Sequence, residues 1–410
     1  MALSMLRHGL QSGRALISSV RLTPAATAVI KKRTIISKQF KEENPDKPKP
    51  WPYEKMSFTV WDTFSEDTAD RFDENTRLIV IDGNVGVGKS YLAKKLAEEL
   101  DFFLFPEATM DFKFIDDTGF DLRSISEHFP ESLKPYDLER FYSHPKTIMT
   151  ADFQYSMLAL RLEQYIDALV HLFNTGQGVI LERSPYSDFV FAEAMHKAGY
   201  IDNYDKEVYD KMRRNCREDI LRPHVVIYLD APIDTLLQRI KSRGVPCEQN
   251  NKVLTPEYLA EIDRCYKEQY LPSIKDHVEV LSYDWSTFGD PSHVVEDLER
   301  LPLDAMLDDR FESKLSDWRG FNDRGWDALR MKYTNEKRRL LVEAIYSVGR
   351  YNHPSLNAPY GDVELYNTAW ETYYKPKYEK GFNEEDGNSI GLRFETDYRA
   401  MQRHEFFRTR

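Results

Sequence analysis

A doubly wound α/β fold on a five-stranded parallel sheet is what this 410-residue sequence predicts, and three observations carry that prediction. Five short apolar runs recur between residues 77 and 284. Long stretches with helical spacing separate them. The first run opens directly into Gly83-Asn84-Val85-Gly86-Val87-Gly88-Lys89-Ser90, a phosphate-loop pattern at a strand-to-helix junction.

The runs are Arg77–Asp82 (RLIVID), Phe102–Glu107 (FFLFPE), Gly178–Arg183 (GVILER), His224–Asp230 (HVVIYLD) and Val278–Asp284 (VEVLSYD). Apolar on both faces, they suit strands covered by helices on both sides, joined by right-handed crossovers. Leu92, Leu96 and Leu100 follow the first run at i, i+4 and i+8, and Leu158, Leu162, Ile166 and Leu169 precede the third. This alternation ends near residue 300. Residues 301–410 then read as a mostly helical or irregular C-terminal extension, with Trp318, Trp326, Trp370, many tyrosines and one helix expected around Asn335–Val348. So aromatic a segment packs either on this core or on a partner, and the two stand equal.

Charge divides the chain further. Residues 1–41 carry eight Lys and Arg and no acid, although the whole chain has a formal net charge of −12. A basic, acid-free leader containing Ser and Ala is the composition of a mitochondrial transit peptide. Residues 42–76 form a Pro-rich arm, and 77–300 the phosphate-loop domain. An acidic body repels phosphate backbones, so no nucleic-acid partner is expected. No apolar run reaches about 18 residues, so no transmembrane helix is expected. Cys216, Cys247 and Cys265 make no C-x-x-C pair, and the ten histidines make no ligand cluster.

In the phosphate loop, Gly83, Gly86 and Gly88 let the backbone turn its N–H groups, including that of Asn84, around phosphate oxygens at a helix N-terminus. Lys89 is placed to reach the β- and γ-phosphates and the Ser90 hydroxyl to ligate Mg²⁺. Glu107, at the end of the second run, is a candidate base for a hydroxyl nucleophile. The third run ends in Glu182-Arg183, and the fourth leads into Arg239-Ile-Lys-Ser-Arg243, a basic helix end able to close over phosphates.

Together with Leu181-Glu-Arg-Ser-Pro-Tyr-Ser-Asp188, these residues resemble the deoxyribonucleoside kinase family, the branch with deoxyguanosine and deoxycytidine kinases, over roughly residues 77–290. The resemblance implies a nucleoside-kinase-type sheet and a bound purine deoxynucleotide with Mg. It implies Glu107 as base for the 5′-hydroxyl, Arg183 beside the 5′-oxygen and Glu182 near the metal. It implies Phe112, Gln154, Arg161 and Asp188 at the nucleoside, Glu248 at the 3′-hydroxyl, and Arg239 and Arg243 as lid arginines. Four positions depart: Ala108 follows Glu107 in place of proline, Phe112 replaces tryptophan, Val245 replaces a lid arginine and Cys247 an acid. The lid is also about three residues longer, through Gln249-Asn250-Asn251-Lys252. One lost guanidinium costs orders of magnitude in phosphoryl transfer, so the pattern suits binding better than turnover.

A second resemblance covers nearly the whole chain, through the leader, the approach Asp70-Arg-Phe-Asp-Glu-Asn-Thr-Arg77, the arm and the aromatic extension. It is to the kinase-like accessory subunits of mitochondrial respiratory complex I. It implies a peripheral subunit on the matrix side of the inner membrane, with other complex I subunits as partners. Neither FAD nor an iron–sulfur cluster is expected, since there is no G-x-G-x-x-G turn and no cysteine set. The alternative is an active mitochondrial deoxyribonucleoside kinase.

Overall fold

The computed structural model describes residues 35–40, 47–116, 118–249, 251–303, 314–319, 321–349 and 358–375. The leader up to residue 34, Asn250 of the lid and residues 376–410 of the extension lie outside the described residues.

Five strands form one parallel sheet in the order β2-β3-β1-β4-β5. They are β1 (Leu78–Gly83), β2 (Phe103–Phe105), β3 (Val179–Glu182), β4 (Val225–Asp230) and β5 (Glu279–Asp284). Each expected run became a strand. β2 is shorter than expected, because Pro106 has no N–H to continue the ladder. Every residue of β1 is buried, as a central strand between two helical layers requires. Val80 pairs with Leu181 on one side and Val226 on the other, so the strand order reverses at β1. Ligands of open α/β sheets gather at the carboxyl end of such a switch point.

α1 (Lys89–Leu100) follows the phosphate loop, with Leu92, Leu96 and Leu100 fully buried. α2 (Asp111–Phe114) and α3 (Leu138–Ser143) lead to α4 (Met149–Thr175), which is buried over most of its 27 residues. α4 ends at Gly176, φ 68°, where a Cβ would meet the Arg71 carbonyl oxygen at 1.9 Å, so only glycine lets the arm cross there. α5 (Phe189–Lys197) and α6 (Asn203–Asp219) return the chain to β4. α7 (Ile233–Arg243), α8 (Pro246–Gln249), α9 (Pro256–Cys265), a π-helical turn at Tyr266–Tyr270, and α10 (Leu271–Ile274) connect β4 to β5. α11 (Pro291–Arg300) follows β5.

The aromatic extension packs on this same core. α12 (Asp323–Asn335) starts at Asn322, whose side chain accepts from Gly325 N, and α13 (Lys337–Leu341) follows after a break at Glu336. The helix expected at Asn335–Val348 is therefore α13 and a π-helical turn at Val342–Tyr346, while α12 was not anticipated. Phe173 of α4 is ringed by Trp318, Trp326 and Tyr333 at 5.8 to 6.2 Å. The Pro-rich arm joins them: Arg330 of α12, fully buried, donates Nε to Asn174 Oδ1 (2.8 Å) and forms an ion pair with Glu66 Oε1 (2.7 Å). α14 (Tyr360–Tyr373) forms a second cluster with Phe120, Ile125 and Phe129 through Tyr366, Ala369 and Trp370.

Candidate functional site

Four groups converge at the carboxyl edge of the sheet: the phosphate loop after β1, Glu107 after β2, Glu182-Arg183 at the end of β3, and Tyr266 from the π-helical turn. The loop is held by positive-φ glycines, Gly83 at 147°, Gly86 at 76° and Gly88 at 106°. A Cβ on Gly83 would meet the Leu229 carbonyl oxygen at 2.6 Å, so the loop lies directly on β4. α1 begins without a side-chain cap, which leaves its first-turn N–H groups for an anion. The Asn84 side chain braces the loop, donating to Leu259 O and accepting from Val85 N, both at 2.8 Å.

Lys89 is buried, with Nζ donating to Asn84 O at 3.1 Å. Burial, reinforced by the Arg183 charge and only partly opposed by nearby carboxylates, lowers its ammonium to about 7. The Ser90 hydroxyl donates to Glu182 Oε2 at 2.6 Å, and burial raises the Glu182 carboxyl. A hydroxyl beside a carboxylate is a hard-oxygen pair of the kind that holds Mg²⁺ together with phosphates rather than in an all-protein cage. The donors fit that ion, and among the described residues no cluster of three or more His, Cys, Asp or Glu offers a cage.

Arg183 organises the centre. Its guanidinium bonds Glu107 Oε1 (2.6 Å), Gly83 O (2.9 Å) and Tyr266 Oη (2.8 Å), and lies 4.6 Å from the Phe191 ring centre. Glu107 sits deep within the protein yet keeps 36% of its side chain exposed. Burial alone would raise its carboxyl, but Arg183, Lys89 and Arg161 outweigh that and hold it at about 2. It is therefore ionised at neutral pH. Asp82, fully buried behind this group, accepts from Ser187 Oγ at 2.7 Å, and burial raises its carboxyl.

The expected nucleoside residues form a neighbouring network. Asp188, fully buried, accepts from Gln154 Nε2 (2.8 Å), from the Arg161 guanidinium and from Tyr209 Oη. Its carboxylate is thus used within the protein, where it fixes Gln154 and Arg161. Phe112 lies on α2, 40% exposed. The lid arginines are both engaged within the protein, Arg239 partly on the phosphate loop itself. Arg239 donates to the carbonyls of Val87 (2.8 Å), Trp285 (2.8 Å) and Ser286 (3.0 Å), and Arg243 pairs with both oxygens of buried Glu248. The structure brings together Lys89, Ser90, Glu182, Arg183, Glu107 and Arg161. It holds Arg243 and Glu248 as a separate pair.

Tyr266, Tyr209 and Asp82 escaped sequence reasoning. Asp82 had a signal, a lone acid in an otherwise apolar strand. The tyrosines had none, because their partners lie far away in sequence. Tyr266 lies in a π-helical turn, a distortion frequent at functional sites.

Residues 79–304 match the deoxynucleoside kinase family profile, more than half of the chain. The chain is 38% identical to the bovine protein "NADH dehydrogenase [ubiquinone] 1 alpha subcomplex subunit 10, mitochondrial", over 65% of this chain and 73% of that one. It is 40% identical to the mouse protein of the same name, over 57% of this chain and 64% of that one. Deoxyguanosine kinase of Dictyostelium discoideum is 30% identical over 57% of this chain and 73% of its own. With the family match, the phosphate loop on its parallel sheet and the Glu107–Arg183 pair at the same sheet edge, the chain belongs to the deoxynucleoside kinase family.

Proposed function

We propose that this chain is an accessory, non-redox subunit of mitochondrial NADH:ubiquinone oxidoreductase, complex I, on the matrix side of the inner membrane. In this reading a kinase fold serves as scaffold and still holds a purine deoxynucleotide with Mg²⁺. Similarity to the bovine and mouse proteins of that name supports the assignment to the complex. The site observation that carries it is the engagement of both lid arginines, Arg239 on three carbonyls and Arg243 on Glu248, with Val245 where a further cation is expected. Phosphoryl transfer is mostly electrostatic stabilisation, and a lid whose cations are occupied supplies little of it.

Binding asks for less. The loop N–H groups, Lys89 and Ser90 would hold phosphates, with Ser90 and Glu182 on Mg²⁺, which would neutralise phosphate charge when bound. Gln154 and Arg161, fixed by Asp188, would meet the base edge, Phe112 would face the base or sugar, and Glu248 the 3′-hydroxyl. A bound nucleotide would then stabilise the subunit by linkage without turnover.

The ordered Glu107–Arg183–Lys89 group favours a second reading, an active deoxyribonucleoside kinase with Glu107 accepting the 5′-hydroxyl proton. The deciding experiment is the native size of the endogenous protein in gently solubilised mitochondria, read beside NADH oxidation. Co-migration with the large NADH-oxidising species supports the accessory-subunit reading. Migration as a free monomer or dimer overturns it in favour of the kinase.

A further inference from the structure

The N-terminal arm carries a feature that the nucleotide site does not use. Phe58 is fully buried, 3.6 Å beneath the Arg330 guanidinium. Paired bonds with Asn335 pin it there, Phe58 N to Oδ1 at 3.2 Å and Nδ2 to Phe58 O at 2.6 Å. Immediately beyond this anchor the chain turns outward, leaving Trp61 81% exposed, Phe64 80% and Val60 60%. The two rings lie 6.2 Å apart. The turn is fixed locally: Asp62 Oδ2 accepts from Thr59 Oγ1 (2.6 Å) and Thr59 N (2.8 Å), and both bonds hold its carboxyl below the ordinary range. Ser65 Oγ and Thr63 Oγ1 close it further, each donating to a backbone carbonyl at 2.7 Å.

Two large aromatics held outward on a preorganised turn have the character of an interface hot spot, because little conformational entropy remains to be lost on docking. An acidic collar follows them in the chain. Asp67, Asp70 and Asp323 are all exposed. They lie close enough that Asp67 is raised by partial desolvation and by Asp323, Asp327 and Asp70. The collar selects the occupant. Anionic lipid headgroups would be repelled by it. A second copy docking through the same patch would set one collar against the other.

We infer that Trp61 and Phe64 form a docking knob for a protein partner with an apolar groove rimmed by Lys and Arg. This is the contact by which the chain seats in the NADH dehydrogenase assembly, and it rests on the accessory-subunit reading above. The test expresses the full chain, as wild type and as Trp61→Ala/Phe64→Ala, in cells lacking the protein, and follows native migration beside NADH oxidation. The expected result is that wild type co-migrates with the NADH-oxidising species, while the double variant is retained at least about tenfold less. The purified variant should melt within about 2 °C of wild type, as exposed positions away from packing predict. Asp67→Lys/Asp70→Lys should also weaken retention. Equal retention of wild type and the Trp61/Phe64 variant overturns the knob alone. Wild type migrating free overturns the accessory-subunit reading and the knob with it. Sedimentation with cardiolipin vesicles, or self-association, that disappears in the Trp61/Phe64 variant overturns the choice of a protein partner.

Discussion

Arg183 donates Nε to Glu107 Oε1 across 2.6 Å from a backbone held at φ 68°, a left-handed conformation that side chains other than glycine rarely adopt. Such a conformation costs on the order of 1–3 kcal/mol and persists only where surrounding contacts over-determine it. Here the bonds to Glu107, Gly83 O and Tyr266 Oη do so. The strained turn aims a planar cation between the phosphate loop and the carboxylate.

Arg183→Lys should therefore be damaging although it keeps the charge. An ammonium cannot satisfy three partners in a fixed fork. We expect a loss of about 2 kcal/mol in urea unfolding, with the Glu107 carboxyl rising from about 2 toward its ordinary range. Glu107 is a depressed acid, so its contribution to stability is present above pH 4.5, its unfolded value, and disappears as pH falls toward 2. In the lysine variant that loss should be smaller and complete at a higher pH. Unchanged acid unfolding would show that Arg183 does not set the carboxylate.

Lys89 gives a pH dependence of the same sign in a higher window, although its environment costs stability where that of Glu107 adds to it. Its folded value is about 7 against 10.5 for an ordinary lysine, so between those pH values the unfolded chain binds a proton that the folded chain lacks. Stability from this group therefore rises with pH across that window. Phosphate in the loop restores the charge, so nucleotide binding near pH 8 should take up protons. Calorimetry of a purine deoxynucleotide with Mg²⁺ in two buffers of different ionisation heat reads this directly, and buffer-independent heats would contradict it. Lys89→Met should raise the melting temperature of the free protein and abolish the nucleotide-induced shift.

The arm and the extension meet at one cation. Arg330 donates to Asn174 and pairs with Glu66 while Phe58 stacks on it, and burial lowers its guanidinium to about 10. Arg330→Ala should cost about 3 kcal/mol, because it strands part of a buried polar network as well as opening a void. Limited proteolysis should then cut the arm near Phe58 sooner than the sheet. A variant that resists proteolysis like wild type would show that the clasp contributes nothing to arm docking.

What was legible in the sequence follows from range. The strands, the phosphate loop and the leucine faces of α1 and α4 are local patterns in which each residue carries its own evidence. The extension was harder. Trp318 and Trp326 announced burial but not where, and only the structure shows Phe173 of α4 at the centre of their cluster. α12 was missed altogether, and the helix expected at Asn335–Val348 starts only after the break at Glu336. At the site, resemblance supplied Glu107, Arg183 and Asp188 as separate residues. That Asp188 is used by Tyr209, Gln154 and Arg161 is a tertiary fact with no sequence signature.

The lid supplies the remaining prediction. Val245→Arg restores one guanidinium where the family carries it, and transition-state charge is what such a cation stabilises. Yet Arg243, two residues away, is paired with both oxygens of Glu248, whose side chain is buried at the base of α8. A new arginine at 245 enters beside that carboxylate and competes for it before it reaches a phosphate. The loop beyond α8 is also braced by Asn251, whose Oδ1 accepts from Val253 N at 3.1 Å, so the longer lid has a conformation of its own. We therefore expect Val245→Arg to leave phosphoryl transfer from ATP to purine deoxynucleosides within about tenfold of wild type, and Val245→Arg/Glu248→Gln to do no better, because the glutamine removes the negative charge proposed to hold the 3′-hydroxyl. A gain of about a hundredfold or more in the single variant, measured by single-turnover transfer, would show that the missing arginine alone separates this site from an active kinase.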